Sequence, residues 1–170
     1  MKQLTHYDIE NKQQQFPITI VCDAIRTPEN IGMCFRISES FGVQKIFLHE
    51  SSPATENRNV ARTARNTINQ IEHETYTDFN NLILQLKKEG NTIIGIEITD
   101  NSINIQDFDF TATKKIVLLL GSERNGIENT ELLDATVAIP MYGRNSSMNV
   151  IHSLSIALYE TTNQLSVNKK

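Results

Sequence analysis

Short apolar runs alternate along the chain with segments whose apolar residues recur at helical spacing. Helices are predicted at 30–41, 58–66, 78–89 and 148–165. Strands are predicted at 18–22, 45–49, 71–76, 92–98, 115–120 and 137–139. Alternation of this kind predicts an α/β fold, in which a mostly parallel sheet is flanked by helices on both faces.

The run from Ile116 to Leu120 contains no polar residue, which is typical of a central strand that helices cover on both faces. Open parallel sheets bind their ligands beyond the carboxyl ends of the strands. A binding site is therefore predicted where this strand ends, at Gly121.

With 170 residues, of which 39% are hydrophobic, the chain can build one compact core. We expect a single domain over 18–166, preceded by a polar N-terminal arm over 1–17. No apolar run approaches the roughly 18 residues of a membrane-spanning helix, and no apolar stretch follows Lys2. The expected protein has no membrane association or signal peptide and is cytoplasmic.

The distribution of charge changes the picture that net charge suggests. A formal net charge of −4 argues weakly against a nucleic-acid partner, because phosphate contacts need cationic side chains. The arginines, however, cluster in four short stretches, and the lysines lie outside them. Arginine suits phosphate recognition, so six are candidate RNA contacts, with ordinary surface salt bridges as the alternative: Arg26, Arg58, Arg62, Arg65, Arg124 and Arg144.

Cysteine and histidine give no indication of a metal site. Cys22 and Cys34 lie in apolar neighbourhoods, where cysteines of a non-secreted protein are usually small buried hydrophobes. The four histidines are scattered without partners at metal-ligand spacing. We expect chemistry that needs no metal.

The first candidate segment spans 23–36. A helix start explains three of its residues, namely Thr27, Pro28 and Glu29. It does not explain Gly32, since glycine inside a helix costs about 1 kcal/mol relative to alanine. Gly32 and Arg36 share one helix face at a spacing of four, which predicts close approach to a group with a charge to meet.

The second segment, 121–126, follows the buried strand directly. A tight loop explains its two glycines but not Glu123 or Arg124. Glycine-rich backbone after a strand often holds a ligand through its amide and carbonyl groups. The segment has neither the phosphate-binding-loop pattern nor the dinucleotide fingerprint, which disfavours a nucleotide-triphosphate enzyme.

The third segment, 139–150, leads into the last predicted helix. A serine cap is the simplest interpretation of the serines before that helix. It leaves unexplained a dense polar group at Arg144, Asn145, Ser146, Ser147 and Asn149. Two polar loops at neighbouring strand ends predict a pocket.

Together these segments resemble the signature of a known family. The first matching pattern is Asn30-x-Gly32-x-x-x-Arg36, and the second is Gly121-x-Glu123-x-x-Gly126. The third is Ile139-Pro140-Met141-x-Gly143 with Ser147-x-Asn149-Val150 and Leu158-Tyr159-Glu160. All three occur in order over roughly 19–160. The chain is thereby similar to the SpoU family of the SPOUT superfamily, the RNA ribose 2′-O-methyltransferases, and most to its tRNA guanosine (TrmH-like) branch.

The resemblance implies a single SPOUT domain with a deep C-terminal trefoil knot, S-adenosylmethionine as cofactor, and a homodimer whose subunits share each active site. The residues carried over as catalytic are Arg36, Asn30, Glu123, Ser147 and Asn149. Those carried over as cofactor-binding are Leu120, Gly121, Glu123, Gly126, Ile139, Met141, Ser147 and Met148.

Arg36 is the central catalytic candidate. A guanidinium titrates above about 12, so it is a poor general base unless perturbed. It could instead hold the substrate phosphate and polarise the ribose hydroxyl, and the sequence leaves both roles open. Ile151 and His152 depart from the family pattern, in a helix expected at the subunit contact.

The substrate stays open between tRNA and ribosomal RNA, with tRNA guanosine favoured. One alternative function is a catalytically inactive, RNA-binding SPOUT dimer, which the intact set of site residues disfavours. Another is a methyltransferase acting on proteins or small molecules, which would not need the clustered arginines.

Overall fold

The computed structural model describes residues 3, 4, 8 and 13–167. Its strands are β1 (Ile18–Cys22), β2 (Lys45–His49), β3 (Glu72–Tyr76), β4 (Thr92–Ile96), β5 (Ile103–Asn104), β6 (Ile116–Leu120) and β7 (Ala135–Ala138). Its helices are α1 (Pro28–Ser40), α2 (Arg58–Ala64), α3 (Phe79–Lys88) and α4 (Val150–Val167). Short 3₁₀ turns lie between several of these elements.

All seven strands form one sheet in the order β3-β2-β1-β6-β4-β7-β5, and every neighbouring pair is parallel. The central strand β6 pairs with β1 and β4, which confirms the prediction from its apolar run. All carboxyl strand ends therefore meet at one edge of the sheet.

Hydrophobic residues pack against both faces of this sheet. On one face, Phe35 of α1 and Leu154 of α4 belong to the larger core cluster. On the other, Ile83 of α3 packs in a cluster with Val117 and Leu119 of β6. Alternate residues of β6 enter the two clusters because side chains alternate across a strand. The expected helix-flanked α/β sheet is confirmed.

Gly32 has a structural cause that differs from the one predicted. A Cβ built on this residue would lie 2.6 Å from the Val60 carbonyl oxygen and 2.8 Å from Cβ of Thr63. The glycine thus lets α1 approach the backbone of α2 within the same chain. Close approach was predicted correctly, but the neighbour is a helix backbone and carries no charge.

Side-chain hydrogen bonds move two element boundaries away from their predicted positions. Strand β4 ends at Ile96 because the Ile98 N–H donates to the Glu97 carboxylate at 2.9 Å instead of to a neighbouring strand. Helix α4 begins at Val150 because Asn149 caps it, accepting a hydrogen bond from the Ile151 N–H at 2.8 Å. The predicted serine cap is therefore replaced by an asparagine.

Most of the predicted N-terminal arm, 1–17, lies outside the described residues, as do 168–170. Its last part packs on the domain: Phe16 is 8% exposed in the main core cluster, and its N–H donates to the Gly42 carbonyl at 2.9 Å. No helix in the described part of the chain is long and apolar enough to span a membrane. Cys22 and Cys34 are buried and unbridged, as predicted.

The trefoil knot remains a prediction. The two segments assigned to it, 120–126 and 139–150, follow β6 and β7, which lie on opposite sides of β4. Residues of both segments border the same cavity.

Candidate active site

The loop after β6 is a tight turn whose two ends are hydrogen-bonded to each other. Ser122 and Gly126 exchange two backbone hydrogen bonds, of 3.0 and 3.1 Å. The Ser122 hydroxyl also accepts the Asn125 N–H at 3.1 Å. Gly126 adopts a positive φ of 65°, which favours glycine. A Cβ on Gly121 would collide with the Gly126 carbonyl carbon, so the backbone at one end of the turn can approach the other end only because Gly121 has no side chain.

Glu123, within this turn, joins it to the start of α1. Its carboxylate accepts the backbone N–H groups of Arg26 and Thr27, each at 3.1 Å, and the Asn30 side-chain amide at 3.0 Å. Thr27 is the N-cap of α1, but its side chain makes no capping hydrogen bond. The Glu123 carboxylate binds its backbone N–H instead, next to the positive end of the helix dipole.

The third segment joins the same junction through Asn149. Its side-chain amide donates to Oδ1 of Asn30 at 3.2 Å, while its own Oδ1 caps α4. The three sequence segments therefore meet in one hydrogen-bonded chain, from Glu123 through Asn30 to Asn149.

The Glu123 carboxylate is held in its ionised form. Partial burial disfavours the charge, but the hydrogen bonds from Arg26, Asn30 and Thr27 outweigh that effect and lower the pKa of Glu123 to about 2. The group is thus a negatively charged anchor at neutral pH and a poor proton donor.

A cavity of about 370 Å³ opens beside this junction, at the carboxyl ends of β4, β6 and β7. Nine of the predicted site residues border it: Gly121, Glu123, Arg124, Gly126, Ile139, Met141, Ser147, Met148 and Asn149. Its volume lies in the range of small-molecule sites. The crevice predicted from the end of β6 is present in the structure.

Leu120, Asn30 and Arg36 do not border this cavity. Asn30 is joined to it through its hydrogen bonds with Glu123 and Asn149. The Leu120 side chain is fully buried, and its carbonyl oxygen accepts the Asp23 N–H at 2.8 Å. Arg36 lies six residues after Asn30 in α1, about 9 Å further along the helix axis. Within the described residues its guanidinium forms no salt bridge.

Tyr76 and Asp23 form a second polar contact at the same sheet edge. The Tyr76 hydroxyl donates to Asp23 Oδ1 at 3.0 Å. Burial raises the pKa of the Asp23 carboxyl, although the Tyr76 hydrogen bond and the nearby His49 oppose the shift. Burial likewise raises the pKa of Tyr76, with the Asp23 charge acting in the same direction.

The remaining arginines are exposed. Arg58 and Arg62 belong to α2, but Arg65 follows its last residue and adopts a positive φ of 58°. The helix predicted over 58–66 therefore ends before Arg65, which does not share a helix face with the other two arginines. Arg62 lies 3.7 Å from the Glu29 carboxylate, a long surface pair that contributes little. Arg144 is exposed in the loop before α4.

Glu97, which is not among the predicted site residues, borders the cavity between Ile96 and Ile98. The available signal was a lone carboxylate at the end of an apolar strand, at the sheet edge where ligands bind. The apolar run over 92–98 predicts a continuous strand through this position.

Comparison with known proteins decides the family. The profile of the SpoU rRNA Methylase family matches residues 17–159. The chain belongs to this family. The match spans all three segments that form the junction and the cavity, as the motif resemblance predicted.

Two curated SpoU-type relatives are named for guanosine methylation. The tRNA (guanosine(18)-2′-O)-methyltransferase of Escherichia coli (strain K12) is 26% identical over 154 residues, covering 89% of this chain and 66% of that protein. The 23S rRNA (guanosine-2′-O-)-methyltransferase RlmB of Blochmanniella floridana is 29% identical over 163 residues, covering 95% of this chain and 63% of that protein. The chain thus spans slightly less than two thirds of the length of these relatives.

Solved SpoU structures share the fold. The methyltransferase AviRb from Streptomyces viridochromogenes, in complex with the cofactor AdoMet, superposes with a TM-score of 0.80 at 22% identity. The superposition covers 90% of this chain and 62% of AviRb. The parallel sheet and its helices therefore form the family architecture.

Proposed function

We propose that this chain is an S-adenosylmethionine-dependent RNA ribose 2′-O-methyltransferase that works as a homodimer. The observation that carries the proposal is the junction of Glu123, Asn30 and Asn149 at the rim of the cavity. It joins a ligand-sized crevice to the helix that carries Arg36. The names of the two curated relatives support RNA guanosine as the substrate.

The residues around the cavity fit this cofactor. Apolar side chains of Ile96, Ile139 and Met141 offer a surface for an adenine ring, and the polar backbone of 121–126 lies beside them. Glu97 and Glu123 both border the cavity, and their negative charge suits a ligand that is cationic overall. Bound there, S-adenosylmethionine supplies an electrophilic methyl group.

In this proposal the chain's own residues mainly align the RNA with the cofactor and polarise the ribose hydroxyl. Glu123 and Asn149 hold Asn30 and the start of α1 in a fixed position, and Ser147 lines the cavity beside them. Arg36 binds the RNA phosphate and polarises the ribose hydroxyl, since a planar guanidinium suits two-pronged contacts with phosphate. Alignment of donor and acceptor is a large source of acceleration for a group transfer.

Homodimer formation would place Arg36 beside the partner's cavity. Two observations support it: Arg36 does not border the cavity of its own chain, and α4 exposes the apolar side chains of Ile156 and Tyr159. The domain proposed to dimerise spans 18–166, preceded by the arm 1–17.

RNA capture is proposed for the exposed arginines. Arg124 borders the cavity and Arg26 contacts Glu123 through its backbone, so both lie close to a bound nucleotide. Arg58, Arg62, Arg65 and Arg144 would extend the contact along the phosphate backbone. We propose the cytoplasm as the site of action, with tRNA guanosine favoured over ribosomal RNA.

The test is methyl transfer from labelled cofactor to unmodified RNA. Purified protein in EDTA is incubated with methyl-labelled S-adenosylmethionine and either tRNA or ribosomal RNA transcripts. The RNA is then digested to nucleosides. We expect label in a 2′-O-methylated nucleoside, most of it in guanosine of tRNA. EDTA should not prevent the transfer, because the proposed reaction needs no metal.

Two other outcomes would each identify a different function, and a third would refute the proposal. Cofactor binding without transfer to any RNA would support the inactive RNA-binding dimer. Label in protein or small molecules that persists after ribonuclease treatment would support the other methyltransferase class. Absence of both binding and transfer, by calorimetry at saturating cofactor, would refute the enzyme proposal.

A further inference from the structure

Glu97 is a charged cavity residue for which neither the motifs nor the junction provide a role. It follows β4 directly, at the carboxyl end of the strand, and its main chain is fixed on both sides. Its N–H donates to the Val137 carbonyl at 3.1 Å, and its carbonyl accepts the Ser102 hydroxyl at 2.8 Å. The position of its Cα is therefore set by the sheet edge.

Its carboxylate is fixed as well. Oε1 accepts the Ile98 N–H at 2.9 Å, and Oε2 accepts the Ile127 N–H at 3.0 Å. The group also packs directly on Gly126, where a Cβ would lie 2.2 Å from Oε2 and 3.0 Å from Cδ. Any larger residue at Gly126 would displace the carboxylate, so this glycine has a second role besides the turn.

The fixed carboxylate keeps unused acceptor capacity. An ionised carboxylate offers about four acceptor positions, and the two backbone donors occupy one on each oxygen. Among the described residues no lysine or arginine pairs with Glu97. Two acceptor positions, one on each oxygen, therefore remain for a ligand in the cavity that Glu97 borders.

The surroundings indicate which part of a ligand these acceptors meet. Ile96 and Ile98, the chain neighbours of Glu97, border the same cavity and offer apolar surface. A base ring that packs on such a surface carries its ribose next to it. Vicinal hydroxyls present two neighbouring donors, which match two oxygens of one carboxylate, and acidic residues near strand ends bind ribose in this way in other nucleotide sites.

We propose that Glu97 binds the ribose 2′- and 3′-hydroxyls of the adenosine part of the cofactor. Gly126, which has no side chain, leaves the space that the Glu97 carboxylate occupies. This inference rests on the proposed function. It assigns to Glu97 a binding role and no part in the chemistry of transfer.

The test is a double-mutant cycle read by calorimetry. The ligands are S-adenosylhomocysteine, which lacks the sulfonium charge, and its 2′-deoxy and 3′-deoxy forms. The proteins are the wild type, Glu97→Ala and Glu97→Gln. The control is Glu128→Ala, which removes an exposed carboxylate of the adjacent segment that does not border the cavity.

We expect loss of either hydroxyl to weaken binding to the wild type and to Glu128→Ala by about 10-fold, the scale of a hydrogen bond to a charged group. In Glu97→Ala the same deletions should cost less than about 3-fold, and in Glu97→Gln an intermediate amount. The cycle compares two ligands on one protein, so a general loosening of the loop cancels. If Glu97→Ala binds the ligands too weakly for calorimetry, the comparison of normal and deoxy ligands on Glu97→Gln tests the assignment.

Two results would overturn the assignment while leaving the proposed function intact. One is equal binding of normal and deoxy ligands by the wild type. The other is a loss of affinity on removal of a hydroxyl that is as large in the Glu97 variants as in the wild type. If these variants also bind S-adenosylmethionine more weakly than the wild type but bind S-adenosylhomocysteine equally well, the sulfonium lies at Glu97. A wild type that binds neither S-adenosylmethionine nor S-adenosylhomocysteine would instead refute the proposed function together with this inference.

Discussion

The Asn149 side-chain amide donates a hydrogen bond to Oδ1 of Asn30 at 3.2 Å, across 119 positions of the chain. The Asn30 amide nitrogen in turn donates to Glu123 at 3.0 Å. Asn30 therefore uses its acceptor toward one motif and its donor toward another. An amide supplies both a donor and an acceptor, whereas a carboxylate of the same shape can only accept, and this difference yields the first prediction.

Asn30→Asp should destabilise the protein by about 1–3 kcal/mol, because it places a second carboxylate against Glu123 and removes a donor. Adding Glu123→Gln to this variant should recover part of the loss, since a donor then faces the new carboxylate. Urea unfolding of the single and double variants measures the coupling. Additive losses would show that the contact does not operate in solution. Asn129→Asp, in an exposed amide pair with Asn80, is the control.

The low pKa of Glu123 predicts a specific pH dependence of stability. Because its pKa in the folded protein, about 2, lies below the ordinary 4.5, ionised Glu123 stabilises the fold above pH 4.5. That contribution is lost as the pH falls toward 2. Glu123→Gln should therefore be less stable than the wild type at pH 7, by about 1 kcal/mol after allowance for solvent screening. The gap in unfolding free energy should narrow between pH 5 and pH 3, and a constant gap would contradict the assigned ionisation.

Gly32→Ala should destabilise the protein even though alanine favours helices. The added Cβ would meet the Val60 carbonyl at 2.6 Å, and overpacking of this kind costs about 1–3 kcal/mol. Gly143→Ala is the matched control, because nothing lies within 4 Å of its Cβ position, and it should change stability by less than about 0.5 kcal/mol. Thermal unfolding of both variants decides the point. Equal stability of the two would mean that α1 and α2 separate easily.

Arg36→Ala should leave cofactor affinity nearly unchanged and lower single-turnover methylation by about 100-fold or more, as for loss of a charge-stabilising group. Arg36→Lys should recover little, because an ammonium cannot reproduce a planar two-pronged contact. Calorimetry and single-turnover assays on the same preparations separate the two effects. A large loss of affinity with unchanged chemistry at saturation would assign Arg36 to cofactor binding instead.

Ile156→Asp should convert a dimer into a monomer if the outer face of α4 forms the subunit contact. Ile156 is 38% exposed, and a buried, unpaired carboxylate at an interface is strongly unfavourable. Leu84→Asp is the control, because Leu84 is a 55% exposed apolar residue of α3 on the opposite face of the sheet. Sedimentation velocity at micromolar concentration gives both masses. A wild-type monomer that still methylates RNA would contradict the shared site.

The sequence alone determined the sheet-and-helix architecture and most residues around the cavity. Apolar runs such as that of β6 are local signals, since a strand buried on both faces has no polar alternation. The carboxyl ends of parallel strands share one edge of the sheet, so the motifs that follow β6 and β7 are predicted to lie close together. The motif resemblance predicted the family that the profile match then established.

Only the tertiary structure decided what depends on neighbours distant in sequence. The ends of β4 and α4 are set by the side chains of Glu97 and Asn149, which compete with backbone partners for N–H groups. The partner of Gly32 is a helix more than twenty residues away, and no helical spacing within α1 could identify it. Glu97 became a candidate once folding placed its carboxylate against Gly126 and beside the cavity, because hydrogen bonds and contacts between remote segments have no periodic signature in the chain.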